Sequence, residues 1–245
     1  MSSVRVGSTV AVTNSLQAAI VDLDGTMVDT LGDFEVALAA MLNDLSLPAV
    51  DRSFVARSIG KGSEKLILQT LAAVGADASL YEAGWESYQR HYAVINGRHA
   101  DVFPGVLEGL QALADRGLKL ACLTNKPTAF AVQLLADKGL AQYFTVCFGG
   151  DSFARKKPDP LPLIETCKAL GTKPAQTLMV GDSSNDAQAA RAAGCPVALV
   201  TYGYNHGEPI RAVDADHFVD SLVELPALLR FAGPGDASPV SAVRA

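Results

Sequence analysis

From Pro104 onward the chain alternates short apolar runs with amphipathic stretches, punctuated by Gly and Pro, and this alternation restricts the fold severely. "LKLACLTN" (118–125) reads as a buried strand, and "PTAFAVQLLADKGL" (127–140) as a helix with Pro in its first turn. "YFTVCFGG" (143–150) is the next strand, and "DPLPLIETCKALG" (159–171) the next helix, closed by Gly171. "TLMVGDSSNDAQAARAAG" (177–194) compresses strand, tight turn, helix and Gly stop. "PVALVTYG" (196–203) and "HFVD" (217–220) supply the last strands, and "SLVELPALLR" (221–230) a final helix. Strands that alternate with helices pair in parallel and are covered on both faces. The expected fold is α/β: a three-layer, Rossmann-like parallel sheet.

Residues 31–102 interrupt the alternation. Leu31, Phe34, Leu38, Met41, Leu42 and Leu45 follow helical spacing, as do Leu68, Leu71 and Val74. Tyr81, Trp85, Tyr88, Tyr92 and Ile95 recur at steps of four and three, and this aromatic stripe is read as helix core. The expected organisation is therefore an α/β core over 18–30 and 103–230, with a helical insertion over 31–102. Residues 1–17 lack the apolar region of a signal peptide and are read as a flexible extension. Residues 231–245, with "GPGDASPVSAVRA" at their end, have turn-former composition and are read as a flexible tail.

An apolar content of 49% is enough for a sizeable core, and no apolar run approaches the ~18 residues of a membrane span. The formal charge of −6 argues against nucleic acid or an anionic membrane as partner, but leaves anionic small molecules open, because local charge decides those. Cys122, Cys147, Cys167 and Cys195 form no CxxC pair and are read as reduced, mostly buried thiols of a cytoplasmic protein. His91, His99 and His217 show no metal-binding spacing, and His206 is assigned to stabilising its loop. Either a monomer or a homodimer is compatible with these features.

In open parallel sheets, ligands gather outside the carboxyl ends of the strands. Four polar stretches fall there: "DLDGT", "TNKP", "KKPDP" and "GDSSND". Asp22 and Asp24, two apart, face one way on an extended chain, and a bound cation or a proton would relieve their repulsion. Asp182 follows the strand "TLMV", and Asp186 falls in the next helix's first turn, where an acid also serves as a cap. Asp22 and Asp182 together offer the hard oxygen ligands that suit Mg²⁺. Thr124 and Asn125, offering a hydroxyl, an amide and free N–H groups at a helix start, form a natural phosphate cradle, and Lys157 adds a cation. Singly these are ordinary turn acids and surface charges. Together they describe phosphoryl transfer.

In this order, "DLDGT", "LTN", "KPDP" and "GDSSND" resemble the four motifs of the haloacid dehalogenase superfamily, over about residues 18–230. Val21 and Met27 replace the commoner Phe and Leu without touching the chemistry, and the second aspartate excludes the dehalogenase branch. The resemblance implies that Asp22 is the nucleophile forming an aspartyl-phosphate and that Asp24 is the general acid and base. It also implies that Asp22, the Asp24 carbonyl and Asp182 hold Mg²⁺ with Asp186 orienting them, and that Thr124, Asn125 and Lys157 hold the phosphoryl oxygens. The 31–102 insertion resembles the superfamily's cap, in which Arg57, Gly60 and Lys61 of "RSIGKGSEKLI" are candidate substrate-binding residues. "IGKGSEKLI" and "TYGYNHGEPI" (201–210) are similar to loops of bacterial phosphoglycolate phosphatases, which implies hydrolysis of 2-phosphoglycolate, a small phosphorylated metabolite. The rivals are a phosphosugar mutase of the beta-phosphoglucomutase kind, another small-metabolite phosphatase, and a receiver-like phosphoacceptor. The insertion and the second aspartate argue against the receiver.

Overall fold

The computed structural model describes residues 16–229. At its centre lies β1 (Ala18–Val21), whose residues alternate between two apolar clusters. Ala19 and Val21 face one cluster with Leu110 and Leu134, while Ala18 and Ile20 face the other with Leu163 and Met179. A strand buried on both faces must be apolar at every position, which is why "AAIV" reads as an unbroken run.

Six parallel strands form the sheet, in the order β5 (Val146–Phe148), β4 (Lys119–Leu123), β1, β6 (Thr177–Gly181), β7 (Val197–Val200), β8 (His217–Val219). Helices α5 (Val106–Asp115), α6 (Thr128–Asp137) and α9 (Leu225–Leu228) cover one face, and α7 (Leu161–Leu170) and α8 (Ser184–Ala193) the other. This is the three-layer arrangement expected from the alternation.

Three boundaries differ from expectation. The strand at 143–150 shortens to 146–148, because the chain leaves the sheet at Gly149 and the Gly150 N–H bonds the Lys126 carbonyl at 2.8 Å. The helix at 221–230 breaks into a 3₁₀ turn, Leu222–Glu224, and the short α9. Pro226 sits in the first turn of α9 and has no N–H with which to continue the preceding turn. Residues 16 and 17, read as part of the extension, belong to the core: Leu16 is buried, and Gln17 bonds Gln176 and Lys119 across the sheet. The rest of the extension, and the tail, lie outside the described residues.

Between β1 and β4, β2 (Val28–Asp29) pairs antiparallel with β3 (Asp101–Val102) and closes the base of the insertion. From it rise α1 (Leu31–Asp44), α2 (Arg52–Ser58), α3 (Ser63–Ala73) and α4 (Tyr81–Ile95), packed around Leu38, Met41, Ile67 and Tyr88. The buried Asp33 ties the two ends of this layer together by accepting from Gly97 N at 2.6 Å and His99 N at 2.7 Å. Neither α2 nor the β2–β3 pair shows a periodic apolar signal. Helix α2 is instead marked by its cap, Asp51, which accepts from Phe54 N at 2.7 Å. All four cysteines are free thiols, and among the described residues no helix is long and apolar enough to cross a membrane.

Candidate active site

The chain runs from β1 outward to β4 and β5, then crosses back to β6 on the other side of β1. The carboxyl ends of β1 and β6 therefore flank the switch point, where open sheets bind ligands. Asp22 continues β1, its N–H bonding Val180 O at 2.9 Å, and Asp182 follows β6. Carboxylate oxygens of Asp22, Asp182 and Asp186 lie within 4.8 Å of one another, and all three residues are buried.

Each carboxylate is held by a neighbour in the fold. Asp22 Oδ1 accepts from Leu23 N at 2.8 Å, and Asp182 Oδ2 from Tyr204 N at 2.8 Å. Asp182 Oδ1 accepts from Thr26 Oγ1 at 3.3 Å. Asp186 forms a capping box with Ser183 at the start of α8, accepting from its N–H at 3.1 Å and its hydroxyl at 2.8 Å. Gly25 makes this packing possible: its φ is +82°, and a Cβ there would stand 2.3 Å from Asp182 Oδ2.

Lys157 enters from the loop before α7, its side chain 1% exposed. Its ammonium reaches Asp186 Oδ1 at 2.7 Å, Leu123 O at 2.8 Å and Asp22 Oδ1 at 3.0 Å. One ammonium against three buried carboxylates leaves an excess of negative charge. Burial pushes the Asp22 carboxyl up to about 7, with the Lys157 charge drawing it back and Asp186 adding to the rise. Burial likewise raises Asp182 well above the ordinary carboxylate range, reinforced by Asp186 and Asp22. For Lys157 burial opposes the charged form, but Asp186 and Asp22 outweigh it and raise the ammonium's pKa. A bound cation, or a proton on one of the carboxylates, would relieve this excess.

Thr124 follows β4 and lines a cavity of about 30 Å³ together with Asp22, Asp24, Asn125 and Lys126. The facing wall is helical: Phe34 of α1, Ile59 after α2, Ser63 and Leu66 of α3, and Tyr92 of α4. Asn125 departs from expectation. Its side-chain amide donates to Gly60 O and Lys157 O, both at 2.9 Å, and its Oδ1 accepts from Lys157 N at 3.0 Å. With these groups occupied, any contact of Asn125 with a phosphoryl oxygen has to come from its backbone. The three ammonium protons of Lys157 are directed at protein oxygens, so in this arrangement it holds Asp22 rather than standing open to a phosphate.

The cap candidates divide. Gly60 lines the cavity, and its carbonyl also accepts from Asn185 Nδ2 at 3.1 Å. Arg57 bonds Ser53 Oγ at 3.0 Å, and Lys61 is not among the cavity-lining residues. Burial, with the Lys61 charge adding to it, depresses the His206 imidazole pKa. The His206 ring packs on Gly60, where a Cβ would come within 3.1 Å of it.

Two side chains at the cavity escaped the sequence reading. Lys126, 2% exposed, places its ammonium 3.0 Å from Asp24 Oδ1, bonds the Tyr92 hydroxyl, and sits 4.8 Å from the ring centroids of both Phe34 and Tyr92. It stands inside "TNKP", so the signal was present one residue beyond Asn125. Tyr92 belongs to the aromatic stripe read as core; it is core, but its hydroxyl end reaches the site. Away from the cavity, Tyr204 was also missed. Its hydroxyl accepts from Thr30 N at 2.9 Å and Leu31 N at 3.1 Å and bonds Asp29 at 2.6 Å, tying the Asp182 loop to the start of α1.

Residues 19–200 match the haloacid dehalogenase-like hydrolase family. The chain belongs to that family. Its haloacid dehalogenase-like relatives include the plasmid phosphoglycolate phosphatase of Cupriavidus necator, 49% identical over 86% of this chain and 92% of that one. The phosphoglycolate phosphatase of Thiobacillus denitrificans is 42% identical over 85% of this chain and 93% of its own. A crystal structure of a predicted phosphoglycolate phosphatase from Haemophilus somnus superposes with a TM-score of 0.84 at 31% identity, covering 88% of this chain and 99% of that one.

Proposed function

We propose that this hydrolase is a Mg²⁺-dependent phosphomonoesterase acting through an aspartyl-phosphate, with 2-phosphoglycolate as substrate and glycolate and phosphate as products. The single observation that carries the chemistry is the buried carboxylate cluster of Asp22, Asp182 and Asp186, balanced by one lysine. Its all-oxygen donor set and its uncompensated charge fit a hard divalent cation. Asp22, Asp182 and the Asp24 carbonyl would hold that ion, with Asp186 and Ser183 fixing the turn beneath. When bound, Mg²⁺ offsets the repulsion between carboxylate and phosphate and draws charge from the phosphoryl oxygens.

The Asp22 carboxylate attacks phosphorus, and the bond from phosphorus to the ester oxygen breaks. Asp24 gives its proton to the departing alkoxide. The same carboxylate then takes a proton from a water molecule, which attacks the aspartyl-phosphate, releases phosphate and restores Asp22. Thr124 and the backbone of Asn125 face the phosphoryl oxygens, while Lys157 keeps Asp22 oriented.

Helices α1 to α4 act in this reading as a cap over the strand ends, excluding water and bulky esters. The names of the similar proteins support the same substrate. Phosphate release across a panel of phosphomonoesters, with and without Mg²⁺, tests the proposal. 2-Phosphoglycolate should give the highest kcat/KM, and only with the metal. Isomerisation of glucose 1-phosphate without phosphate release would favour the mutase.

A further inference from the structure

The proposed mechanism leaves Lys126 without a role. Its surroundings are unusual: among the residues lining the cavity it is the one basic side chain, and it is nearly as inaccessible as any core leucine. Burying an ammonium is unfavourable unless partners compensate, so a lysine at this depth needs a reason. Asp24 and the Tyr92 hydroxyl take two of its three N–H groups, and the rings of Phe34 and Tyr92 face the charge. One donor is left for a ligand. The position of that donor matters. In the proposed mechanism Asp24 serves the ester oxygen of the substrate, and Lys126 lies beside it in the same cavity, its ammonium 3.0 Å from Asp24 Oδ1. A group attached one or two carbons beyond the ester oxygen would therefore meet the ammonium. Phe34, Ile59 and Leu66 of the cavity lining bring no charge, and Ser63 and Tyr92 bring only hydroxyls, so an anion entering the cavity has Lys126 as its one basic side chain.

We propose that Lys126 anchors the substrate's carboxylate and thereby selects phosphomonoesters that carry an acid group close to the ester oxygen. This rests on the phosphomonoesterase reading of the site and adds what that reading lacks, the group that recognises the leaving portion. It moves the recognition role from Arg57 and Lys61 on the cap to a residue of the core.

The test compares 2-phosphoglycolate with ethyl phosphate, which has the same two-carbon leaving group without the acid. The quantity read is the ratio of their kcat/KM values within one preparation with Mg²⁺, so any loss of folded protein cancels. The wild type should favour 2-phosphoglycolate strongly, and Lys126→Met should lower that ratio about 100-fold, as expected for a buried charge pair losing one member. Lys126→Gln, which keeps a polar end, serves as the second variant and should lower it similarly. If both substrates lose activity in equal proportion, Lys126 merely positions Asp24 and the anchor is overturned, while the 2-phosphoglycolate reading stands. If the wild type itself does not discriminate, the substrate reading fails and the anchor with it. A readout independent of turnover comes from calorimetry in the Asp22→Asn background. There Lys126→Met should weaken 2-phosphoglycolate binding far more than binding of inorganic phosphate; equal weakening would contradict the proposal.

Discussion

The two walls of the cavity are built on opposite terms. The core wall carries Asp22, Asp24, Thr124 and Lys126 on loops that leave parallel strands; backbone bonds fix Asp22, Thr124 and Lys126, and Lys126 holds Asp24. The helical wall offers Phe34, Ile59, Leu66 and Tyr92, an almost wholly apolar surface on a layer with its own core. Charge needs rigid placement, because an error of an ångström in a nucleophile or counter-ion is severe. An apolar wall needs only shape. In the proposed function the contrast would give bond-breaking to one wall and selection by size to the other.

The largest test of this division is Asp22→Asn. It removes the proposed nucleophile and should lower phosphate release by about 10⁴-fold or more, while circular dichroism shows an intact fold. Retained turnover would break the assignment of chemistry to the core wall. Gly25→Ala comes next. The added methyl would collide with Asp182 and sit at an unfavourable φ. It should weaken Mg²⁺ binding, measured calorimetrically, and lower kcat/KM about 100-fold.

Leu66→Ala probes the facing wall. It should cost about 2–5 kcal/mol of stability in urea and raise kcat/KM for larger phosphomonoesters relative to 2-phosphoglycolate. An unchanged substrate range would show that the helical wall does not select by size. The smallest effect concerns the helical layer alone. Asp44 of α1 accepts from His91, Ser87 and Arg90 of α4, and these bonds lower its pKa to about 2. A depressed carboxylate stabilises the fold above its unfolded pKa and loses that contribution as pH falls through its folded value. The stability difference between wild type and Asp44→Asn should therefore be full at pH 6 and shrink as pH falls from about 4 towards 2, read from urea midpoints. Activity at neutral pH should respond to this change far less than to Asp22→Asn.

Legibility followed the same division. The core-wall residues stand in short contiguous motifs at strand ends, where a parallel sheet leaves one place for a polar cluster; hence Asp22, Asp24, Thr124 and Asp182 are legible in the sequence. For Asn125 the sequence leaves side-chain amide and backbone N–H as equal candidates, and the neighbouring loop decides between them: Gly60 and Lys157 engage the amide. Tyr92 was concealed by periodicity: a ring in a helical stripe looks the same whether its hydroxyl ends in the core or against a lysine. Arg57 and Lys61 are plausible cations on a glycine-rich turn, but Arg57 bonds Ser53 and neither lines the cavity.

By itself the sequence determined the parallel sheet, the helical insertion and the carboxylate-rich strand ends. Hydrophobic periodicity and the positions of Gly and Pro are local properties, and the connection rules of α/β sheets convert them into topology. Only the tertiary structure decided which cation faces Asp24, how small the cavity is, and which donors of Asn125 and Lys157 are already occupied. Those depend on side chains distant in sequence meeting at one point, as Lys126 meets Tyr92 and Tyr204 meets Asp29, and no local pattern encodes such a meeting.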